Sequence, residues 1–412
     1  MVFIMLLKQI IVLHLFLSLA EALSLSPSPS QPKHASSPSP RAKSNNNFLS
    51  FGSILESSIN DDHQSNQSSG SWKWQYWCNY CSCGFNKLKS YKQHVEGKRH
   101  ISALQQADRL WIDYQQSGPL WYHPTVTKDT ITRAWSLDLF MNGLQARSRS
   151  SIKQVLSSAS ETHGRQLDPS LRLDDLPLDK RAALWKHLHT STVPNLPDMI
   201  AALPSRYVRI KELLESLEVY EQIFKLMRRS KMHGQKPKRL THIYDIGCGH
   251  GLVGMLCAAT FPEITVRSMD LFDEPSDAYQ AQRNAFQSTG VGLNNLHYVG
   301  GDFTSMDTSK LTSDKNDLNN NGNRLVLCVH GCKSLTHESI EWAQHNHWAW
   351  LVLPCCLQAE HHLDPSLSLQ VDDSTRFAML CGAMAAKYYP DTVATLDHRI
   401  TARSIVLSSS GL

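Results

Sequence analysis

The pattern of apolar and polar positions changes character twice along the 412-residue chain. The opening MVFIMLLKQIIVLHLFLSLAEA (1–22) carries one lysine and an apolar run of about a dozen residues, short for a membrane span. Residues 23–70 then turn to Ser, Pro and Asn, a composition that cannot bury enough apolar surface to offset its ordering entropy, and they predict disorder. From Tyr207 the pattern becomes regular. YVRIKELLESLEVYEQIFKLM has helical apolar spacing, and LTHIYDIGCGHGLVGMLCAATF predicts a strand, a glycine-rich turn and a helix. Further strands follow at ITVRSMDLF, LHYVGGDF, RLVLCVHG and HWAWLVLPCC, with helices at DAYQAQRNAF, HESIEWAQHN and TRFAMLCGAMAAKYY. TVATLDHRI and SIVLSSS are close enough to pair antiparallel. Strands alternating with helices predict a doubly wound α/β sheet, and a closing antiparallel hairpin departs from an ordinary dinucleotide fold.

Composition adds limits. An apolar content of 41% suits a globular chain with at least one large core, and a net charge of +4 does not by itself imply nucleic acid. Its distribution says more: between Ser71 and His100, six basic residues (Lys73, Lys87, Lys89, Lys92, Lys98, Arg99) face one acid, Glu96. Such a patch can meet phosphates, or be a solvated face. Three of the ten cysteines lie in residues 71–104 and seven beyond Gly247, with no spacing typical of an extracellular disulfide framework, so reduced thiols are expected. Ala20-Glu21-Ala22 fits a signal-peptide cleavage site. The two amino-terminal segments together resemble a bipartite leader of the kind used by algae whose plastids are reached through the secretory system. A plastid or other organelle is the expected destination; a leader without function leaves the chain nuclear or cytoplasmic. Residues 105–204 read as a mostly helical connecting region without a motif, which either bridges the units on its two sides or caps the second of them.

The stretch CNYCSCGFNKLKSYKQHVEGKRH (78–100) carries the first chemistry. Cys78 and Cys81 are separated by two residues, with His94 next and, across Gly97, His100. Two thiolates and two imidazoles are a tetrahedral zinc set. The cysteines belong on a strand-turn knuckle and the histidines on a helix; Phe85, Leu88 and Tyr91 are the expected small core, and Cys83 is not needed as a ligand. The spacing and the Gly-Lys-Arg-His ending resemble the U1-type (matrin-type) Cys2His2 finger, a small ββα unit of RNA-associated proteins. That resemblance covers residues 71–104 and implies an RNA partner. Trp72, Trp74, Tyr76 and Trp77 are candidates for stacking on bases, although Tyr76 and Trp77 fit packing better.

The turn after the first strand of the regular region sets the cofactor. A dinucleotide fingerprint requires a third glycine where Leu252 stands. The turn instead carries Asp245, then Gly247, Gly249 and Gly251. A carboxylate there repels a pyrophosphate but suits an ammonium group, while glycines and a helix N-terminus suit a carboxylate. Together they describe an amino-acid moiety. DIGCGHG resembles motif I of class I S-adenosylmethionine-dependent methyltransferases. The resemblance covers residues 205–412 and implies a Rossmann-like, seven-stranded sheet with an antiparallel last hairpin. Asp270 stands where such enzymes hold the ribose hydroxyls, and Asp302 where they hold the adenine amine.

Reactive groups gather at the carboxyl ends of parallel strands, so His330, Cys332, Cys355 and Cys356 are the candidate catalytic residues. VHGCKSLT and LPCC resemble the subfamily that includes zinc-finger-bearing transfer-RNA 2′-O-methyltransferases, with His-Gly-Cys-Lys replacing that subfamily's His-x-Cys-Gly. Two mechanisms stay open. His330 removes a proton from a hydroxyl or ring nitrogen, or a cysteine adds to a pyrimidine, as Pro354-Cys355 echoes in RNA cytosine-5 methyltransferases. The cysteines also fit a sulfur-lined wall. The expectation is a zinc-finger-guided S-adenosylmethionine-dependent methyltransferase acting on transfer or ribosomal RNA. A nucleic-acid-binding protein with a degenerate methyltransferase fold, and a protein or small-molecule methyltransferase, are the alternatives.

Overall fold

The computed structural model describes residues 74–78, 80, 81, 83–133, 137–141, 144, 166–229, 240–306, 323–361 and 370–411. The proposed leader, residues 1–70, lies outside them, as does Trp72. Among the described residues no helix is long and apolar enough to cross a membrane. The chain falls into two compact units: residues as far as Cys78 with Ser82–Glu96, and Asn79–Cys81 with Gly97–Leu412.

In the first unit β1 (Tyr76–Cys78) and β2 (Cys83–Phe85) pair antiparallel, with Cys78 opposite Cys83, ahead of α1 (Leu88–Val95). Tyr76 stacks on Tyr91 with ring centroids 5.8 Å apart, and Phe85 meets Tyr91 edge-on at 5.9 Å. Leu88 is exposed, so Tyr76 takes the place expected of it in this small core. The single helix expected to carry both histidines is broken. Gly97 takes an extended backbone (φ −78°, ψ 146°) and starts a new helix, α2 (Lys98–Gln115), with His100 in its first turn.

In the second unit α2 runs on into a helical layer formed by α3 (Lys128–Arg133), α4 (Leu137–Met141), α5 (Leu178–His189) and α6 (Leu196–Ala201). Two core side chains there keep their polar atoms satisfied: Tyr114 donates to the Trp121 carbonyl at 2.7 Å, and Trp121 Nε1 donates to that of Pro197 at 3.1 Å. Next come α7 (Ile210–Arg229), β3 (Leu240–Ile246), α8 (Leu252–Thr260), β4 (Thr265–Asp270), α9 (Asp277–Ser288), β5 (Leu296–Gly300), β6 (Asn323–Val329), α10 (Leu335–His345), β7 (Ala349–Leu353), α11 (Asp373–Tyr388), β8 (Thr392–Thr395) and β9 (Ile405–Ser409).

The sheet has seven strands in the order β5-β4-β3-β6-β7-β9-β8. The first five are parallel, and β9 runs antiparallel to both β7 and β8. Parallel strands are covered on both faces, which explains the unbroken burial of the β7 run AWLVL. One face, with Ile243, Val266, Leu325 and Leu351, shares a core with α7, α8, α9 and the amino-terminal helical layer. The other, with Tyr244, Met269, Val326 and Trp350, packs on α10 and α11. The connecting region therefore caps the sheet rather than standing apart from it. Asn295 fastens one corner by donating through Nδ2 to the carbonyls of Ala258, Phe261 and Ile264 at 3.2, 3.1 and 2.7 Å.

Strand order, parallel ladders and the reversed last strand make this the class I methyltransferase variant of the Rossmann-like sheet. The reversal of strand order between β3 and β6 opens a crevice at the carboxyl ends of the strands, where such sheets bind ligands.

Candidate active site and metal centres

The turn leaving β3 is built around positive backbone angles: φ is 62° at Gly247, 53° at Gly249 and 72° at Gly251. A Cβ at Gly251 would stand 2.4 Å from the Tyr279 ring, and one at Gly247 would stand 2.6 Å from Leu335. Conformation and space both demand glycine there. The turn delivers the chain into the buried helix α8, leaving helix-terminal N–H groups beside the crevice.

Asp245 at the end of β3 is buried, and its Oδ2 makes no hydrogen bond among the described residues. Burial pushes its carboxyl up to about 7, helped by the nearby Asp270 charge and opposed by the Gly254 amide. Such a group gains most from a cation that approaches its site. Asp270 accepts from the Gly249 amide at 3.0 Å and from the Leu271 amide at 2.8 Å, which locks the end of β4 to the glycine turn. Asp302, two residues beyond β5, caps a short 3-10 turn, its Oδ1 accepting from the Thr304 amide at 2.9 Å and hydroxyl at 2.7 Å. Asp245, Asp270 and Asp302 thus stand at or just past the ends of three adjacent strands, as expected.

His330 leaves β6 with φ 59°, a left-handed conformation that costs a non-glycine residue about 1–2 kcal/mol. Its amide is anchored on the Leu353 carbonyl of β7 at 2.8 Å. Its buried Nε2 lies 2.9 Å from Oε2 of Glu215, a carboxylate of α7 that also pairs with Lys211 at 3.1 Å. Burial alone would push the Glu215 carboxyl up; His330, Lys211 and Thr401 overcome that and hold it below its ordinary value. His250, from the glycine turn, faces the same group of charges. Burial keeps its imidazole below the ordinary value, with His330 acting in the same direction and Glu212 and Glu215 opposing.

Neither Glu215 nor His250 is legible from sequence. Glu215 sits on a helix whose apolar positions wrap so widely that Val219, one turn on along the same face, is fully buried. Spacing cannot separate a buried carboxylate there from a solvated one. His250 occupies an ordinary turn position, and only folding brings β3 beside β6.

The three candidate cysteines come together. Cys332 lies just past β6, Cys355 and Cys356 just past β7, and their sulfurs lie within 4.8 Å of one another, with Cys332 and Cys355 at 3.5 Å. Burial and the two neighbouring thiols push the Cys355 thiol well above its ordinary value, the opposite of what a nucleophile requires.

The finger residues also converge: the donor atoms of Cys78, Cys81, His94 and His100 lie within 4.8 Å of one another, a set that could hold a metal ion. Cys81 Sγ is 3.7 Å from His100 Nδ1, and Cys83 Sγ is 3.8 Å from His94 Nε2, so a fifth donor stands beside the four. Trp74 packs its ring over Gly84 yet keeps 52% of its surface exposed, and Trp77 keeps 46%. Packing therefore accounts for Tyr76 but not for Trp77.

No protein-family model matches this chain, and no curated protein matches it. Among solved structures it is similar to a SAM-dependent methyltransferase from Aquifex aeolicus (11% identity, 48% of this chain and 95% of that one, TM-score 0.28). It is also similar to an O-methyltransferase family protein from Burkholderia thailandensis (16% identity, 56% of this chain and 72% of that one, TM-score 0.24). A third likeness is to the N-terminal domain of human METTL16 in complex with SAH (10% identity, 48% of this chain and 70% of that one, TM-score 0.29). The fold assignment rests on the strand order and ladder directions, not on these likenesses.

Proposed function

We propose that the chain is an S-adenosylmethionine-dependent methyltransferase that acts on RNA held by its amino-terminal zinc finger. The observation that carries the first half is the buried carboxylate of Asp245, whose Oδ2 makes no hydrogen bond among the described residues, beneath a three-glycine turn in a sheet of this topology. S-adenosylmethionine fits these residues: the Asp245 charge favours its ammonium group, the turn and the α8 N-terminus its carboxylate, and Asp270 and Asp302 its ribose and adenine. Bound there, it supplies an electrophilic methyl group.

The remaining chemistry belongs to the chain. Glu215, pressed against the buried Nε2 of His330, favours the tautomer with its proton on that nitrogen. Nδ1 is then the basic nitrogen, able to take a proton from a hydroxyl or ring N–H of the acceptor. Glu215 stabilises the imidazolium that results. A base of this kind favours proton removal over cysteine attack, in line with the raised Cys355 thiol.

RNA as the acceptor is supported by the finger's resemblance, by its excess of basic residues, and by the exposed rings of Trp74 and Trp77. For zinc, donors at about 2.3 Å for sulfur and about 2.0 Å for nitrogen in a tetrahedron stand about 3.5 Å apart. The 3.7 Å between Cys81 and His100 suits that. The test is transfer of labelled methyl from S-adenosylmethionine to bulk transfer RNA and ribosomal RNA by the full chain. Label in RNA, lost in His330→Ala, supports the reading. Label only in protein or small molecules refutes the RNA half, and no label with S-adenosylmethionine bound refutes the enzymatic half.

A further inference from the structure

The three thiols at the carboxyl ends of β6 and β7 are left over from this mechanism, and packing does not account for them. The cysteines that do fill the core of this unit, Cys257, Cys328 and Cys381, are buried. By contrast, Cys332 and Cys356 are exposed and Cys355 is partly so, yet all three sulfurs converge within 4.8 Å. They reach one another across 23 residues of chain and two strands, because parallel β6 and β7 end side by side with Val329 opposite Leu353. The loop that turns Cys332 toward Cys355 has left-handed backbone at both His330 (φ 59°) and Lys333 (φ 56°). Side chains other than glycine rarely adopt this conformation, so the surrounding structure enforces the approach.

We propose that Cys332, Cys355 and Cys356 are the protein ligands of a second metal site, one that takes a thiophilic divalent ion of the zinc class, separate from the finger. Two thiolates on one tetrahedral zinc at about 2.3 Å stand about 3.8 Å apart. The observed 3.5 Å for Cys332 and Cys355, and the 4.8 Å limit for all three, match that spacing. A disulfide would require about 2.05 Å and would use only two of the sulfurs. On binding, each ligating thiol gives its proton to solvent and its electron pair to the ion, and a dication on three thiolates carries a net charge of −1. The mutual repulsion that would resist ionising three adjacent thiols becomes an attraction to the ion. Three protein donors leave the fourth position to water or to a ligand from solvent, which reaches the site because Cys332 and Cys356 are exposed. The site does not depend on methyl transfer, and it stands or falls separately from that reading.

The test is metal content of the full chain, purified without chelator, by plasma emission spectrometry, together with titration by Co2+, whose sulfur charge-transfer absorption reports thiolate ligands. Cys78→Ser with Cys81→Ser removes the finger's thiolates; Cys332→Ser with Cys355→Ser removes those at the strand ends. The expected result is that each double variant loses one equivalent of zinc and keeps the other, with Cys381→Ser keeping both. In the finger variant, Co2+ should still give thiolate absorption. Should the strand-end double variant misfold, Cys356→Ser alone should release its zinc to a chelator far more readily, by more than the ~10–100-fold that losing an outer partner causes. A finger variant with an intact circular dichroism spectrum but neither zinc nor Co2+ absorption overturns the proposal. So does an intact-mass result showing Cys332 and Cys355 as a disulfide in metal-free protein, or a Cys356→Ser variant that holds its zinc as tightly as the parent.

Discussion

Among the described residues two clusters of side chains could hold a metal ion, and they come about in different ways. Cys78, Cys81, His94 and His100 are brought together by a hairpin and the next two helices in the chain, a local arrangement written in their spacing. Cys332, Cys355 and Cys356, with His330 and Glu215 nearby, are assembled from a helix and two strands spread over residues 215–356. A metal on the first cluster would supplement a unit this small, which has little core of its own. The second depends on a sheet that is already closed and packed on both faces. The two should therefore fail independently.

The largest effect expected is on the local cluster. Cys81→Ala should abolish retention of RNA on a filter while leaving the melting temperature of the sheet unit and its affinity for S-adenosylmethionine unchanged. A fall in that affinity would show that the clusters are not independent. Next comes the assembled site: His330→Ala should lower kcat by about 10²–10⁴-fold with KM for RNA little altered. Glu215→Gln should lower it less, by about tenfold, again with KM for RNA little altered. A raised KM with kcat unchanged would place Glu215 in binding rather than in positioning His330. Smaller again is Gly251→Ala, which forces a left-handed alanine against Tyr279 and should cost about 1–3 kcal/mol in urea unfolding without touching the finger.

Legibility in the sequence divides along the same line. The convergence of Cys78, Cys81, His94 and His100, the glycine turn and the strand-end positions of Asp245, Asp270 and Asp302 are legible because each sits in a short motif or at a recognisable strand end. The strands themselves are legible because buried parallel strands leave unbroken apolar runs such as AWLVL, whereas their order in the sheet is not written in such runs. His330 and the three cysteines are legible as candidates by the same strand-end rule, but not which of them meet. Glu215 and His250 are hidden, since nothing in an amphipathic helix or a glycine turn records what a distant strand end will bring beside it. The break at Gly97, which starts the helix of His100 afresh, is only half legible: a glycine in a helical pattern reads equally as a loosened turn.

Asp245 offers the most direct test, because it is the residue in which topology, burial and ligand chemistry meet. Its carboxyl is raised to about 7 in the folded chain against an ordinary 3.8, so the native state holds an extra proton between those values and loses stability as pH rises through them. A cationic ligand offsets this cost and favours the ionised form. Calorimetric titration of the full chain with S-adenosylmethionine at about pH 6 and about pH 8 measures the consequence. Single-site binding is expected at both, tighter at the higher pH, with the pH dependence flattened in Asp245→Asn and unchanged in Cys78→Ser. Absence of binding at either pH would contradict the role assigned to Asp245.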